Sequence, residues 1–429
     1  MSWTSATDAD TKAMLDTIGV KSIDDLFSTI PDDLRLKSWD VPEGISEMAT
    51  RAELDRLANK NDVALTSFMG GGFYDHYIPA AVDALSLRSE FYTAYTPYQP
   101  ECAQGTLQSI YEYQSAICRL TEMEFANASL YEGGTAVFEA ATMSLRCTKK
   151  RNKIVCHPSM NPTYRSMLDT HMANLDVEIV DGDDPTDAAC VIVQNPAFGG
   201  TIQDFTALGE ACHEAGALLV VSFYPISLGL MKTPGAMGAD IAIAEGQSLG
   251  IPLAFGGPYL GILATLKKHV RKMPGRICGQ TTDTEGRRGF VLTLQAREQH
   301  IRRGKAMSNI CSNQALCALR ALIYMSLLGK EGFKDVATHC HSKSEYLKSK
   351  LTFGEIQNNG PTFNEFVIRL PKNANTVSTA LSKEGFAAGL VLSEITNAHE
   401  NDLLIAVTEQ RTRAELDAFA TVLETASCN

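Results

Sequence analysis

Between residues 130 and 265, short apolar runs alternate with stretches whose apolar residues recur at helical spacing. Lys153-Ile-Val-Cys156, Val177-Glu-Ile-Val180, Ala189-Cys-Val-Ile-Val193, Ala217-Leu-Leu-Val-Val221 and Ile241-Ala-Ile243 are short and rich in β-branched residues, and so predict strands. Helical spacing fills the gaps between them over 134–149, 159–171 and 204–215. Strands that are apolar nearly throughout must be covered on both faces. The pattern therefore predicts a largely parallel sheet with helices on either side.

The pattern differs toward both ends. Up to about residue 60 it predicts short helices: Met14, Leu15 and Ile18 share one face, as do Ile23, Leu26, Phe27 and Ile30, with Ser22 and Asp25 as a helix start and Pro31 as a stop. Such an arm cannot form its own core. Its apolar faces must pack on the main body or on another subunit. Beyond residue 310, helices over 312–328 and 336–351 precede strands at Glu365-Phe-Val-Ile-Arg-Leu370 and Leu403-Leu-Ile-Ala-Val407, with helices over 377–383 and 413–424. Few strands with helices to one side predict a small α+β domain. The expected division is an arm over 1–60, a large α/β domain over 61–310 and a small C-terminal domain over 311–429.

Composition narrows the field. Acidic residues outnumber basic ones by 50 to 38, a net charge of −12 that argues against coating nucleic acid or an anionic membrane. Eleven cysteines are scattered singly, with no CxxC pair and no histidine cluster at zinc spacing, so no metal site is expected and reduced, buried thiols are. The first residues have neither a basic nor an apolar segment of a secretory signal, and the longest apolar stretch, over 252–266, is broken by Pro and Gly. A cytoplasmic location is expected.

The candidate chemistry turns on an absence. Glu245-Gly-Gln-Ser-Leu-Gly250 reads as the turn after a buried strand, and Phe255-Gly-Gly-Pro258 as a second turn. In an α/β enzyme that holds an aldehyde cofactor as a Schiff base, such a turn carries the lysine. No lysine occurs between Lys232 and Lys267. Leu130-Tyr-Glu-Gly-Gly-Thr-Ala136 opens a helix with Gly133, Gly134 and Thr135, which serves either to cap the helix or to hold a phosphate, with Glu132 unfavourable to the latter. Gln194 and Asn195 end a strand at the sheet edge where ligands bind in open α/β folds, in a loop that could equally hydrogen-bond itself. Val221-Ser-Phe-Tyr-Pro-Ile-Ser227 contains no acid to hold a pyridine nitrogen protonated, and Tyr224 cannot replace one. Upstream, Phe68-Met-Gly-Gly-Gly-Phe-Tyr-Asp-His-Tyr-Ile-Pro79 precedes a tyrosine-rich run, Glu90-Phe-Tyr-Thr-Ala-Tyr-Thr-Pro-Tyr-Gln-Pro-Glu101. Pro97 and Pro100 exclude a regular helix there, which leaves an extended loop suited to an interface or a ligand wall, or else core tyrosines beneath a long loop.

Together these stretches resemble the glycine cleavage system P-protein family, specifically its N-terminal half made as a separate subunit. The resemblance runs from Ser22-Ile-Asp-Asp-Leu-Phe27 to the C-terminal domain. It is carried by Gly72-Phe-Tyr-Asp-His-Tyr-Ile-Pro79, Thr93-Ala-Tyr-Thr-Pro-Tyr-Gln-Pro-Glu101, Gln104-Gly-Thr-Leu-Gln108, Glu245-Gly-Gln-Ser-Leu-Gly-Ile-Pro252 and Phe255-Gly-Gly-Pro-Tyr-Leu-Gly261. It implies the type I pyridoxal-phosphate-dependent transferase fold and a heterotetramer of two subunit types (α2β2). The second type carries the Schiff-base lysine and the pyridine-binding aspartate, while Gly246-Gln247 stands in place of the lysine here.

Tyr224 occupies a position where this half often has aspartate, a departure that further weakens any cofactor site of its own. The implied reaction is pyridoxal-phosphate-dependent decarboxylation of glycine, release of carbon dioxide and transfer of the aminomethyl group to the lipoyl group of H-protein. On this reading the chain has no catalytic residue of its own. Its degenerate pocket comprises Gly133, Gly134, Thr135, Asn195, Tyr224 and Gln247, and His76, Tyr92, Thr93, Tyr95, Thr96, Tyr98 and Gln99 are expected to face the sister's active site. Two alternatives remain: a non-catalytic regulatory or scaffold protein on a degenerate fold, and a self-sufficient enzyme using Lys232. A nicotinamide-binding fold is set aside, because Ile154-Val-Cys-His-Pro158 lacks the glycines that turn requires.

Overall fold

The computed structural model describes residues 5–148, 151–254 and 256–428, so Lys149 at the end of one expected helix and Phe255 of the second turn lie outside it. Two compact units divide at Val63 and Ala64. The first contains helices Asp8–Ile18 and Glu47–Ala58, neither of which buries a residue. Thr7 and Asp10 form a capping box at the start of the first helix. The expected start at Ser22 is also made: Asp25 accepts from Ser22 N–H, and Ser22 Oγ accepts from Asp25 N–H. A single turn of 3₁₀-helix, Asp24–Phe27, follows.

The second unit is built on a seven-stranded sheet. Its order is Phe125–Ala126, Gly261–Thr265, Ile241–Glu245, Leu218–Phe223, Ala188–Asn195, Lys153–Cys156, Glu178–Asp181. The last five pair in parallel, whereas Gly261–Thr265 runs antiparallel to both of its neighbours. Side chains alternate between two cores, as strand geometry requires. Val191, Val193, Leu219, Val221, Ala242 and Ala244 enter one; Cys190, Ile192, Leu218, Val220, Ile241 and Ile243 enter the other. Helices Gly133–Thr148 and Pro162–Met172 cover the second face, and Gln104–Thr121, Thr206–Ala215 and part of Ala315–Lys350 cover the first.

The C-terminal part carries a four-stranded antiparallel sheet around Glu365–Arg369 and Asp402–Ala406. The helices expected over 312–328 and 336–351 form one long element, Ala315–Lys350, broken at Gly329 (φ 60°, ψ −169°). Thr66–Ser67 pairs in parallel with Phe386–Ala387, and Phe68 stacks on Phe419 in the small domain's core. The chain therefore passes through the small domain before it reaches the large sheet. A hairpin, Ile277–Thr282 with Arg288–Thr293, packs on Gln104–Thr121; neither the hairpin nor that helix was expected from the hydrophobic pattern.

Candidate functional site

The parallel strands end on one edge of the sheet, and Asn195, Phe223 and Glu245 are the last residues of the central three. The segment 70–78 crosses this edge on its way from the small domain. Tyr74, Tyr164 and Tyr224 project into the space between, and the cavity that remains there measures about 30 Å³. It is lined by Gly72, Asn161, Gln194, Ser222 and Glu245 besides the tyrosines. That volume holds roughly a water or two; pockets for small organic ligands start at about 300 Å³. Burial pushes all three tyrosine hydroxyls well above the usual phenol range, so they stay protonated.

At the start of Gly133–Thr148 the capping alternative holds. Glu245 Oε2 accepts from Gly133 N–H at 2.9 Å, and Glu132 Oε1 accepts from Thr135 N–H at 2.6 Å. Two carboxyl groups of the chain itself thus occupy the N-terminal end of the helix. Glu245 also accepts from the backbone N–H groups of Gln247 (2.8 Å) and Leu260 (3.2 Å). Burial nonetheless pushes its carboxyl up to about 8 against the pull of these three donors. Gly133 fits because a Cβ there would lie 2.5 Å from Tyr164 Oη, and Gly134 is backed closely by Met167.

Gln247 is buried and fully used. Its Oε1 accepts from Tyr74 N–H at 2.9 Å, while Nε2 donates to Tyr74 O at 3.1 Å and Ile251 O at 2.8 Å. Tyr224 donates or accepts at His76 Nε2 in a very short contact, and His76 Nδ1 lies 2.6 Å from Glu409 Oε2. Glu409 also accepts from Tyr77 N–H at 2.7 Å and from Cys340 Sγ at 3.5 Å. Burial acts to raise the Glu409 carboxyl, but the His76 contact and backbone donors hold it below its usual range. Among the described residues, His76, Cys340 and Glu409 are the group whose ligand atoms all lie within 4.8 Å of one another. Each is already engaged in this hydrogen-bonded chain. Asn195 accepts from Gln203 N–H at 3.0 Å, the self-bonded loop alternative.

A family model described as "Glycine cleavage system P-protein" matches residues 1–423. The chain belongs to this family. It is 54% identical to "Probable glycine dehydrogenase (decarboxylating) subunit 1" of Geotalea uraniireducens (strain Rf4), with 99% of each chain covered. The protein of that name from Citrifermentans bemidjiense is 52% identical, covering 97% of this chain and 98% of that one. A solved structure, "Crystal structure of glycine decarboxylase (P-protein) of the glycine cleavage system, in inhibitor-bound form", superposes with a TM-score of 0.92 at 40% identity, over 99% of this chain and 100% of that one. The fold is that of type I pyridoxal-phosphate enzymes; glutamate decarboxylase of Lactobacillus brevis shares it at a TM-score of 0.66 and 12% identity.

For this P-protein family member, the structure divides the expected interface residues in two. Tyr92, Tyr95 and Tyr98 are 59%, 75% and 44% exposed, and Thr93 and Gln99 are exposed as well. Thr96 is half-buried. The loop is ordered by its edges: Tyr98 accepts from Arg276 Nη2 at 2.7 Å, and Tyr95 Oη lies 3.4 Å from Ser312 Oγ. His76 is buried within the chain instead, between Tyr224 and Glu409. Lys232 lies outside the cavity, paired with Asp204 at 3.2 Å on the surface. Sequence reasoning missed Glu409, Tyr74 and Tyr164. Glu409 lies 333 positions from His76, and no local pattern signals such a pairing.

Proposed function

We propose that this chain is the lysine-free subunit of a two-subunit glycine dehydrogenase (decarboxylating), and that it completes an active site whose pyridoxal phosphate is held by the sister. The observation that carries this is the self-filled pocket. The residues present do not fit the cofactor: there is neither a lysine to join it nor an acid at Tyr224 to pair with its ring nitrogen. The helix start that would take its phosphate is occupied by Glu132 and Glu245, and about 30 Å³ is left free. A relative named as subunit 1, similar over its whole length, supports the two-subunit assembly.

The contribution assigned to this chain is a wall. Tyr92, Thr93, Tyr95, Thr96, Tyr98 and Gln99 present hydroxyl and amide groups on a loop whose backbone is fixed by prolines, so little ordering entropy is lost when it is covered. Facing the sister's site, such a surface would exclude water and orient glycine, with the lipoyl arm of H-protein as the acceptor of the aminomethyl group. His76 serves from within. An α2β2 assembly in the cytoplasm is part of the same proposal.

Co-expression with and without the lysine-bearing sister tests it, by glycine-dependent exchange of carbon dioxide in the presence of lipoylated H-protein. Activity is expected only with both chains. The isolated chain incubated with pyridoxal phosphate and borohydride should retain no adduct, whereas an adduct on Lys232 would sink the proposal. A sister that is fully active without this chain would leave the scaffold alternative.

A further inference from the structure

We propose that Gln247, at the position where this fold carries its lysine, is a positioning residue: its turn clamps the segment 70–86 and so holds the tyrosine loop against the sister's site. The inference rests on the reading of that loop given above. Tyr74 lies in no strand, yet it is buried, so its backbone N–H and C=O need partners inside the protein. Gln247 supplies both from one side chain, accepting from Tyr74 N–H at 2.9 Å and donating to Tyr74 O at 3.1 Å, with its remaining hydrogen on Ile251 O. Lysine has three donors and no acceptor and could not make this pairing. In this chain the turn is thus a two-point anchor for the backbone at Tyr74.

The same turn grips the far end of the segment. Gly250 O accepts from Arg320 Nε at 3.1 Å, and the guanidinium continues to Ser86 Oγ at 3.2 Å and Asp83 Oδ1 at 2.6 Å. Gly250 allows this approach: its φ is +84°, and a Cβ there would lie 2.8 Å from Tyr324 Cβ. Both anchors, at Tyr74 and at helix Ala80–Ser86, therefore arise from Gly246–Gly250. Helix Ser89–Tyr92 and the exposed tyrosines follow directly. Glu245 fixes the turn itself, because its carboxyl oxygens accept from Gln247 N–H, Leu260 N–H and Gly133 N–H at the helix start.

The test uses the complex with the sister subunit and the variants Gln247→Leu and Asp83→Asn. Gln247→Leu keeps the bulk and removes both halves of the pairing. Expected results are faster amide exchange over residues 72–78 and 88–99, by about tenfold or more, and a kcat for glycine–carbon dioxide exchange lower by about tenfold. Cofactor content, the KM for glycine and amide exchange outside these two segments should stay at the wild-type values, whereas a merely weakened fold would speed exchange throughout. Asp83→Asn acts at the exposed end of the second anchor, where folding is not at stake, and should lower kcat in the same direction by a smaller factor. Unchanged amide exchange in Gln247→Leu would overturn the clamp. Faster exchange with unchanged kcat in both variants would overturn the positioning role. A wild-type complex inactive toward glycine would instead overturn the functional reading, and amide exchange over 88–99 would then judge the clamp by itself.

Discussion

Three buried carboxyls make the chain's stability depend on pH in an unusual direction. Burial raises Glu245 to about 8, and Glu139 and Glu365 to about 7 each. In the unfolded chain each of them ionises near 4.5. Above that value the unfolded state has released protons that the folded state still holds, so raising the pH to 8 favours unfolding. Asp240 works the other way. Burial opposes its ionisation, but hydrogen bonds from His269 and Lys268 win and hold its carboxyl well below the usual range. Its stabilising contribution, and that of Glu409, is lost as pH falls through those lowered values. Urea unfolding of the isolated chain should therefore give a maximum near about pH 5 and a decline toward pH 8, with a shallower decline in Glu245→Gln. At the neighbouring contact, Tyr224→Phe leaves His76 Nε2 without its partner, and a loss of about 1–3 kcal/mol is expected in the same assay.

Elements were legible where one period dominated. The predicted strand Lys153-Ile-Val-Cys156 is the observed Lys153–Cys156, because parallel strands buried on both faces have few alternatives. The hairpin Ile277–Thr282/Arg288–Thr293 was not legible. It is buried at one end and exposed at its tip, so its hydrophobic alternation fades. The gap left between the helices predicted over 312–328 and 336–351 has a physical counterpart in Gly329, whose φ of 60° and ψ of −169° belong to a region that only glycine enters readily. Gly329→Ala should cost about 1–3 kcal/mol, seen as a lower urea midpoint at unchanged slope. Gly200→Ala should cost more. Its φ is +95°, and a Cβ would lie 1.8 Å from Glu365 O, in backbone that cannot yield where the small domain meets the loop after Ala188–Asn195. A loss of about 3 kcal/mol or more is expected there.

For the whole molecule, the arm and the tyrosine loop raise the same issue of cover. No residue of helices Asp8–Ile18 and Glu47–Ala58 is buried, although Met14, Ile18, Met48, Leu54 and Leu57 lie on them. Taken by itself, that arm has no core to hold it. A partner that binds only the folded chain stabilises it by mass action. Adding the proposed partner subunit should therefore raise the Tm of this chain, and more so at higher partner concentration, as differential scanning fluorimetry would register. An unrelated pyridoxal-phosphate enzyme should produce no shift.

The sequence alone determined the largely parallel sheet, the small α+β domain, the family and the absence of a lysine, since each is written in local periods or in unbroken runs of residues; that the small domain's strands pair antiparallel came from the structure. It also placed Tyr95 and Tyr98 outside regular structure, because Pro97 and Pro100 act on their own neighbours, whereas Tyr92 ends the short helix Ser89–Tyr92. What fills the space at the ends of the parallel strands was decided only by tertiary structure. Glu245 meets Gly133, Gln247 meets Tyr74, and His76 meets Tyr224 and Glu409 across separations of 112, 173, 148 and 333 positions. A buried polar group must find a partner wherever the fold brings one, and that choice leaves no period in the sequence.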